Sequence, residues 1–153
     1  MQGSAGGPSR GVKFLGSYTH QLDDKGRFSL PASFRREAAD QRLILVQPYP
    51  PGLALYPEVE WGQVEGRLSD LMSKGPAERL HVLKLLSNAV EVSPDGQGRI
   101  LIPGRLKEAA QLGSSVLLVG AINKIELWAP ELFDAAVDEV PGGLEKFTAQ
   151  LFR

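Results

Sequence analysis

A ten-residue pattern that occurs twice is the feature that most restricts the fold of this chain. Residues 22–31 read LDDKGRFSLP and residues 94–103 read PDGQGRILIP. The offset is 72 residues throughout, as from Asp23 to Asp95 and from Arg27 to Arg99. Each copy predicts a tight polar turn, because Asp can bond to its own backbone and Gly adopts positive φ at no steric cost. A short apolar strand follows and ends at a proline.

The elements around the two copies are predicted to follow in the same order. Alternation over residues 14–22 indicates a strand, which residues 27–30 would join in a hairpin. A short helix follows at 32–39, with Phe34 facing inwards and Arg35 outside, and then two strands. The predicted strands and helices of the second copy, in chain order, lie at 89–93, 99–102, 104–110, 116–119, 125–128 and 130–137.

An internal repeat of this length favours a duplicated half-domain over a solenoid, which needs at least three units. Each half is too short for a good core of its own, so the halves should pack together about a pseudo-twofold axis. The predicted segments are a flexible tail (1–11), one domain (12–140) of two pseudo-symmetric halves (12–61 and 88–140) joined by a helical hairpin (62–87), and a C-terminal helical segment (141–153).

Composition and motifs argue against an enzyme. The chain has no cysteine, which excludes disulfides, thiolate metal sites and cysteine nucleophiles. Its two histidines, His20 and His81, lack metal-ligand spacing, and neither a nucleophile elbow nor a phosphate-binding loop occurs. We therefore predict no catalytic residues, no metal and no cofactor. No apolar run approaches the roughly 20 residues that span a bilayer, so no membrane partner is predicted.

The repeated turns allow two interpretations. In the functional one, Lys25, Arg27 and Arg99 are presented on paired hairpins, where arginine suits guanine edges or phosphates and a β-ribbon fits the major groove. In the structural one, the Asp–Arg pair merely closes each turn. A single copy would favour the structural interpretation, whereas two copies on related surfaces favour function.

Whole-chain charge gives no sign of nucleic-acid binding, since the net charge is −1 and the pI is about 6.1. Any basic surface must therefore be local. Cations do gather near the turns, with Lys107 among them, but for Arg35, Arg36 and Arg105 an ordinary solvated helix face is the favoured interpretation.

At these residues the chain resembles the MraZ family of bacterial transcriptional regulators. The resemblance rests on residues 14–18, 22–31, 98–103 and 125–128 and covers roughly residues 12–140. It implies an α+β fold: a tandem-duplicated swapped-hairpin (AbrB-like) β-barrel core with flanking helices and pseudo-twofold symmetry. The family's DNA-binding motif falls on Asp23, Lys25, Gly26, Arg27, Asp95, Gln97, Gly98 and Arg99.

The resemblance also implies a function. It indicates a cytoplasmic, nucleoid-associated homo-oligomeric ring that binds double-stranded DNA at short direct repeats in the promoter of the division and cell-wall gene cluster, and represses that cluster. Gln97 replaces Lys25 in the second turn, so we expect the first turn to contribute more to affinity. The alternative is a ring-forming scaffold whose turns bind a protein or an anionic ligand.

Overall fold

A computed structural model describes residues 11–153 as a mixed α+β fold. The predicted flexible tail, residues 1–11, lies outside the described residues except for Gly11. The elements in chain order are β1 (Ser17–Gln21), β2 (Arg27–Ser29), α1 (Ala32–Glu37), β3 (Leu43–Tyr49), β4 (Gly52–Pro57), α2 (Glu58–Met72), α3 (Pro76–Ser87), β5 (Val90–Val92), β6 (Arg99–Leu101), α4 (Gly104–Ala109), β7 (Ser115–Gly120), β8 (Ile125–Trp128), α5 (Pro130–Asp138) and α6 (Gly143–Leu151).

The strands form two antiparallel sheets. Six strands form one sheet in the order β1-β7-β8-β4-β3-β5, and β2 pairs with β6 in a separate two-stranded sheet. The predicted local hairpin is therefore wrong in its pairing, since β1 pairs with β7 and β2 with β6. Side-chain alternation determines which face a strand buries, but it does not determine which strand lies beside it.

The pairing register is symmetric about two residue pairs. Phe28 lies opposite Ile100 in the small sheet, and Ala54 lies opposite Glu126 where β4 meets β8. Both pairs are separated by the 72-residue offset of the sequence repeat. Equivalent residues therefore face each other at both places where equivalent strands meet.

The small sheet packs into the main hydrophobic core. Phe28 is 1% exposed and Ile100 is fully buried, and they belong to one cluster with Phe34 of α1 and Leu106 of α4. The prolines Pro31 and Pro103 precede these helices, where a fixed φ and a missing N–H are tolerated. The apolar sides of both repeats thus point into the same interior.

Helices α2 and α3 form the predicted helical pair and cover a second, smaller core. Trp61 of α2 packs with Val46 and Tyr56 of the main sheet. The helix that Pro57 precedes is continuous from Glu58 to Met72. Within residues 11–153, none of the helices has the length and apolar character needed to cross a membrane.

One strand extends further than expected. The apolar run at residues 43–46 predicts a strand that ends before Pro48, whereas β3 continues to Tyr49. The register shifts between Val46 and Tyr49, as in a β-bulge. Proline is tolerated at such an irregularity because no regular ladder hydrogen bond is required there.

Candidate nucleic-acid interface

The first turn is closed by the carboxylate of Asp23. Its Oδ1 accepts the backbone N–H of Lys25 at 3.0 Å and that of Arg27 at 2.8 Å. Its Oδ2 accepts Nε of Arg27 at 2.8 Å. Gly26 has a φ of 87°, a region that side-chain-bearing residues rarely adopt. One carboxylate therefore fixes both the backbone of the turn and the direction of the Arg27 side chain.

The second turn repeats this arrangement bond for bond. Oδ1 of Asp95 accepts the backbone N–H groups of Gln97 and Arg99, both at 2.9 Å. Its Oδ2 accepts Nε of Arg99 at 3.0 Å. Gly98 has a φ of 77°. The eight residues assigned to the motif thus occupy two turns of the same construction.

These hydrogen bonds favour the ionised form of both aspartates. The pKa of Asp23 is lowered to about 2, with the backbone N–H of Arg27 as the largest cause and the Arg27 side chain also lowering it. The pKa of Asp95 is lowered as well, chiefly by the backbone N–H of Arg99. Both turns are therefore held by charged carboxylates at neutral pH.

The β2–β6 ladder brings the two turns together. Arg27 lies opposite Leu101, and Ser29 lies opposite Arg99. Nη1 of Arg99 lies 3.9 Å from Oδ2 of Asp23, so an ion pair crosses from one turn to the other. The arginine side chains remain 28% and 30% exposed. Each Nε is used within its own turn and Nη1 of Arg99 faces Asp23, so within the described chain both Nη groups of Arg27 and Nη2 of Arg99 are left for a ligand.

The tips of the turns differ in charge. Lys25 and Gln97 are both exposed, at equivalent places in the two turns. The backbone N–H of each donates to the aspartate of its own turn. The side chains can therefore meet a ligand, and only the first carries a positive charge.

Two cations of the short helices lie beside the turn of the opposite repeat. Arg35 of α1 covers Gly98 of the second turn, and Lys107 of α4 approaches Gly26 of the first. Arg35 is exposed, as expected for a residue on a solvated helix face. The two residues hold equivalent places in the repeat, each following a buried residue, Phe34 or Leu106. That equivalence was readable from the sequence, but their position beside the opposite turn was not.

Acidic and histidine side chains offer no competing site in the described chain. Across residues 11–153, no group of three His, Cys, Asp or Glu side chains is arranged to hold a metal ion.

An apolar groove lies between α5 and α6, lined by residues that include Val137, Val140, Leu144 and Phe147. It is chemically unlike the turns, because its exposed surface is mainly aliphatic and aromatic.

Comparison with known proteins matches the chain to one family model and to relatives that carry the same family name. The family model described as "MraZ protein, putative antitoxin-like" matches residues 13–83 and 85–151. The transcriptional regulator MraZ of Pseudomonas syringae pv. tomato is 36% identical over 137 residues, covering 87% of this chain and 91% of the relative. That of Halothermothrix orenii is 35% identical over 138 residues, covering 90% and 96%. That of Azotobacter vinelandii is 37% identical over 142 residues, covering 86% and 93%.

Proposed function

Since the chain belongs to the MraZ family, we propose that it is a sequence-specific DNA-binding transcriptional regulator. Its target is a set of short direct repeats in the promoter of the division and cell-wall gene cluster. By binding there, it represses transcription of that cluster. It acts in the cytoplasm, on the nucleoid. The relatives it matches are named as transcriptional regulators, and none of these names describes an enzyme.

The observation that carries this proposal is the pairing of two arginine-bearing turns. Asp23 orients Arg27 and Asp95 orients Arg99 through the same bonds, and the ladder between β2 and β6 holds the turns side by side. An oriented guanidinium can donate two parallel hydrogen bonds to guanine O6 and N7 or to a phosphate. A two-stranded ribbon is narrow enough to enter the major groove.

The proposed fold is the AbrB-like swapped-hairpin barrel, formed by two halves (12–61 and 88–140) of one chain. A helical hairpin (62–87) joins the halves, and a C-terminal helical segment (141–153) follows. Support comes from the exchange of pairing partners, since β1 pairs with β7 and β5 pairs with β3. The register centred on Phe28–Ile100 and Ala54–Glu126 supports the pseudo-twofold relation.

The proposed assembly is a homo-oligomeric ring. Large apolar side chains are exposed near the C-terminus, with Leu144 67%, Phe147 59% and Phe152 79% accessible. Surfaces of this kind commonly mark contacts between proteins.

A ring would also strengthen DNA binding. One turn pair with few cations binds weakly and loses affinity steeply with salt. Several linked pairs that meet spaced repeats gain affinity through effective concentration.

A band-shift experiment with the DNA upstream of the protein's own gene tests the proposal. We expect salt-dependent, sequence-specific binding by the wild type and loss of that specificity in the double variant Arg27→Ala/Arg99→Ala. The charge-matched control is Arg67→Ala/Arg79→Ala, on exposed positions of α2 and α3. Retained specific binding in the first double variant would refute the site. Absence of DNA binding by the wild type would favour the scaffold alternative.

A further inference from the structure

We propose that Arg35 is a further DNA-contacting residue, acting on the phosphate backbone beside the second turn. This inference rests on the proposed function. Arg35 belongs to α1, which follows the first turn in the chain, yet its guanidinium lies over Gly98 of the second turn. A Cβ placed on Gly98 would lie 2.6 Å from Nη1 of Arg35 and 3.4 Å from its Cζ.

The path of the backbone explains this crossing. The N–H of Leu30, the residue after β2, donates to the carbonyl of Gly98 at 3.0 Å. Helix α1 begins at Ala32, two residues later, and its Phe34 is 1% exposed in the core. The anchored helix therefore presents the next residue, Arg35, to the second turn.

Helix α4 makes the reciprocal crossing: it follows the second turn in the chain and brings Lys107 to the first turn. The N–H of Ile102 donates to the carbonyl of Gly26 at 2.9 Å. Lys107 follows buried Leu106 on α4, and its Cδ lies 4.0 Å from a Cβ placed on Gly26. Each turn therefore has a cation from the opposite repeat beside it.

The charge of Arg35 is not used within the described chain. Ion pairs within residues 11–153 engage Arg27, Arg42 and Arg99, and none engages Arg35. Its side chain is exposed, so solvent or a ligand can reach the guanidinium. A weakly hydrated, planar guanidinium is well suited to bidentate contact with a phosphate.

The position of Arg35 complements the missing charge of the second turn. Where the first turn carries Lys25, the second carries Gln97, and Arg35 is the cation that stands beside it. Arg35 thus gives the second turn a cation at its flank, as Lys107 does for the first, while the tip of the second turn stays uncharged.

The test measures affinity against salt concentration for the full-length Arg35→Ala variant, with a duplex from upstream of the protein's own gene. Loss of one phosphate contact in each bound subunit predicts, per subunit bound, roughly tenfold weaker binding at 0.1 M salt and a slope of log K against log salt that is smaller by about 1. The loss should also appear with an unrelated duplex, because phosphates carry no sequence information. Arg35→Lys should keep the slope.

The matched control is Arg36→Ala, on the same helix and also exposed. Arg36 lines a different groove, together with Lys13 and Glu37, so its slope should match that of the wild type. Equal effects of Arg35→Ala and Arg36→Ala, with sequence-specific binding still lost in Arg27→Ala/Arg99→Ala, would overturn this inference alone. Failure of the wild type to bind DNA would overturn both proposals. Thermal unfolding by circular dichroism verifies that Arg35→Ala remains folded.

Discussion

Each aspartate of the turns performs two tasks. One oxygen of Asp23 holds the backbone of the turn and the other aims a guanidinium. Asp95 does the same in the second turn. The ordering of the arginine side chain thus depends on the ionisation of one carboxylate. Protonation of that carboxylate at low pH should therefore weaken both the turn and the orientation of the arginine.

The acid stability of the first turn follows from this coupling. The pKa of Asp23 falls from its ordinary value of 3.8 to about 2 in the folded chain. A lowered pKa adds stability that is fully present above the unfolded value and is lost as the pH falls through the folded one. We expect the wild type to lose stability between pH 4 and about 2 more steeply than Asp23→Asn, which urea unfolding at successive pH values would measure.

The control for this experiment is Asp24→Asn, in the same turn. Asp24 is exposed, and its carboxylate forms no hydrogen bond or ion pair with another of the described residues. The Asp24→Asn variant should therefore lose stability at low pH as steeply as the wild type does. An equally shallow pH dependence in both variants would contradict the assigned role of Asp23.

At the scale of the elements, β2 and β6 form a small sheet that links the turns to the core. Their central residues, Phe28 and Ile100, lie opposite each other and are buried. The flanking residues of both strands are more exposed. The ribbon is thus anchored through one apolar pair while its remaining side chains face the surface.

Truncating this anchor should destabilise the protein strongly. Ile100→Ala removes fully buried methyl groups, for which we expect a loss of about 2–5 kcal/mol in the free energy of unfolding. Leu101→Ala, one residue further along the same strand and 47% exposed, should change it by about 0.5 kcal/mol or less. Urea unfolding at one fixed protein concentration compares them. Similar losses in both would argue against the anchor.

The elements show how far the sequence could predict this molecule. Residue spacing identified α1 and the buried position of Phe34, because helical periodicity depends on near neighbours. It also identified the turns, whose Asp and Gly act locally. The pairing of β1 with β7 and the contact of Arg35 with the second turn depend on residues distant in sequence. No local pattern contains that information.

At the scale of the whole molecule, strand exchange ties the proposed halves to each other. The partner of β1 is β7, and the partner of β5 is β3, so neither proposed half carries both members of these pairs. A fragment of this size also buries a smaller share of its surface than the intact chain. Folding should therefore require both parts.

Fragments 12–87 and 88–153, produced separately, test this dependence. We expect each alone to lack a cooperative thermal transition by circular dichroism, and an equimolar mixture to regain one. The control is the full-length chain under the same conditions. A fragment 12–87 that unfolds cooperatively by itself would refute the proposed mutual dependence of the halves.

Placing two turns on one chain has a further consequence. Identical subunits would present identical turns, whereas here Lys25 stands at one tip and Gln97 at the other, within a register that keeps Phe28 and Ile100 opposed. The two turns of one chain are therefore distinguishable, and the pair has a direction. A palindrome looks the same from both directions, but a direct repeat runs one way. Under the proposed function, this polarity would let each subunit adopt a single orientation along its target, with its neighbours facing the same way.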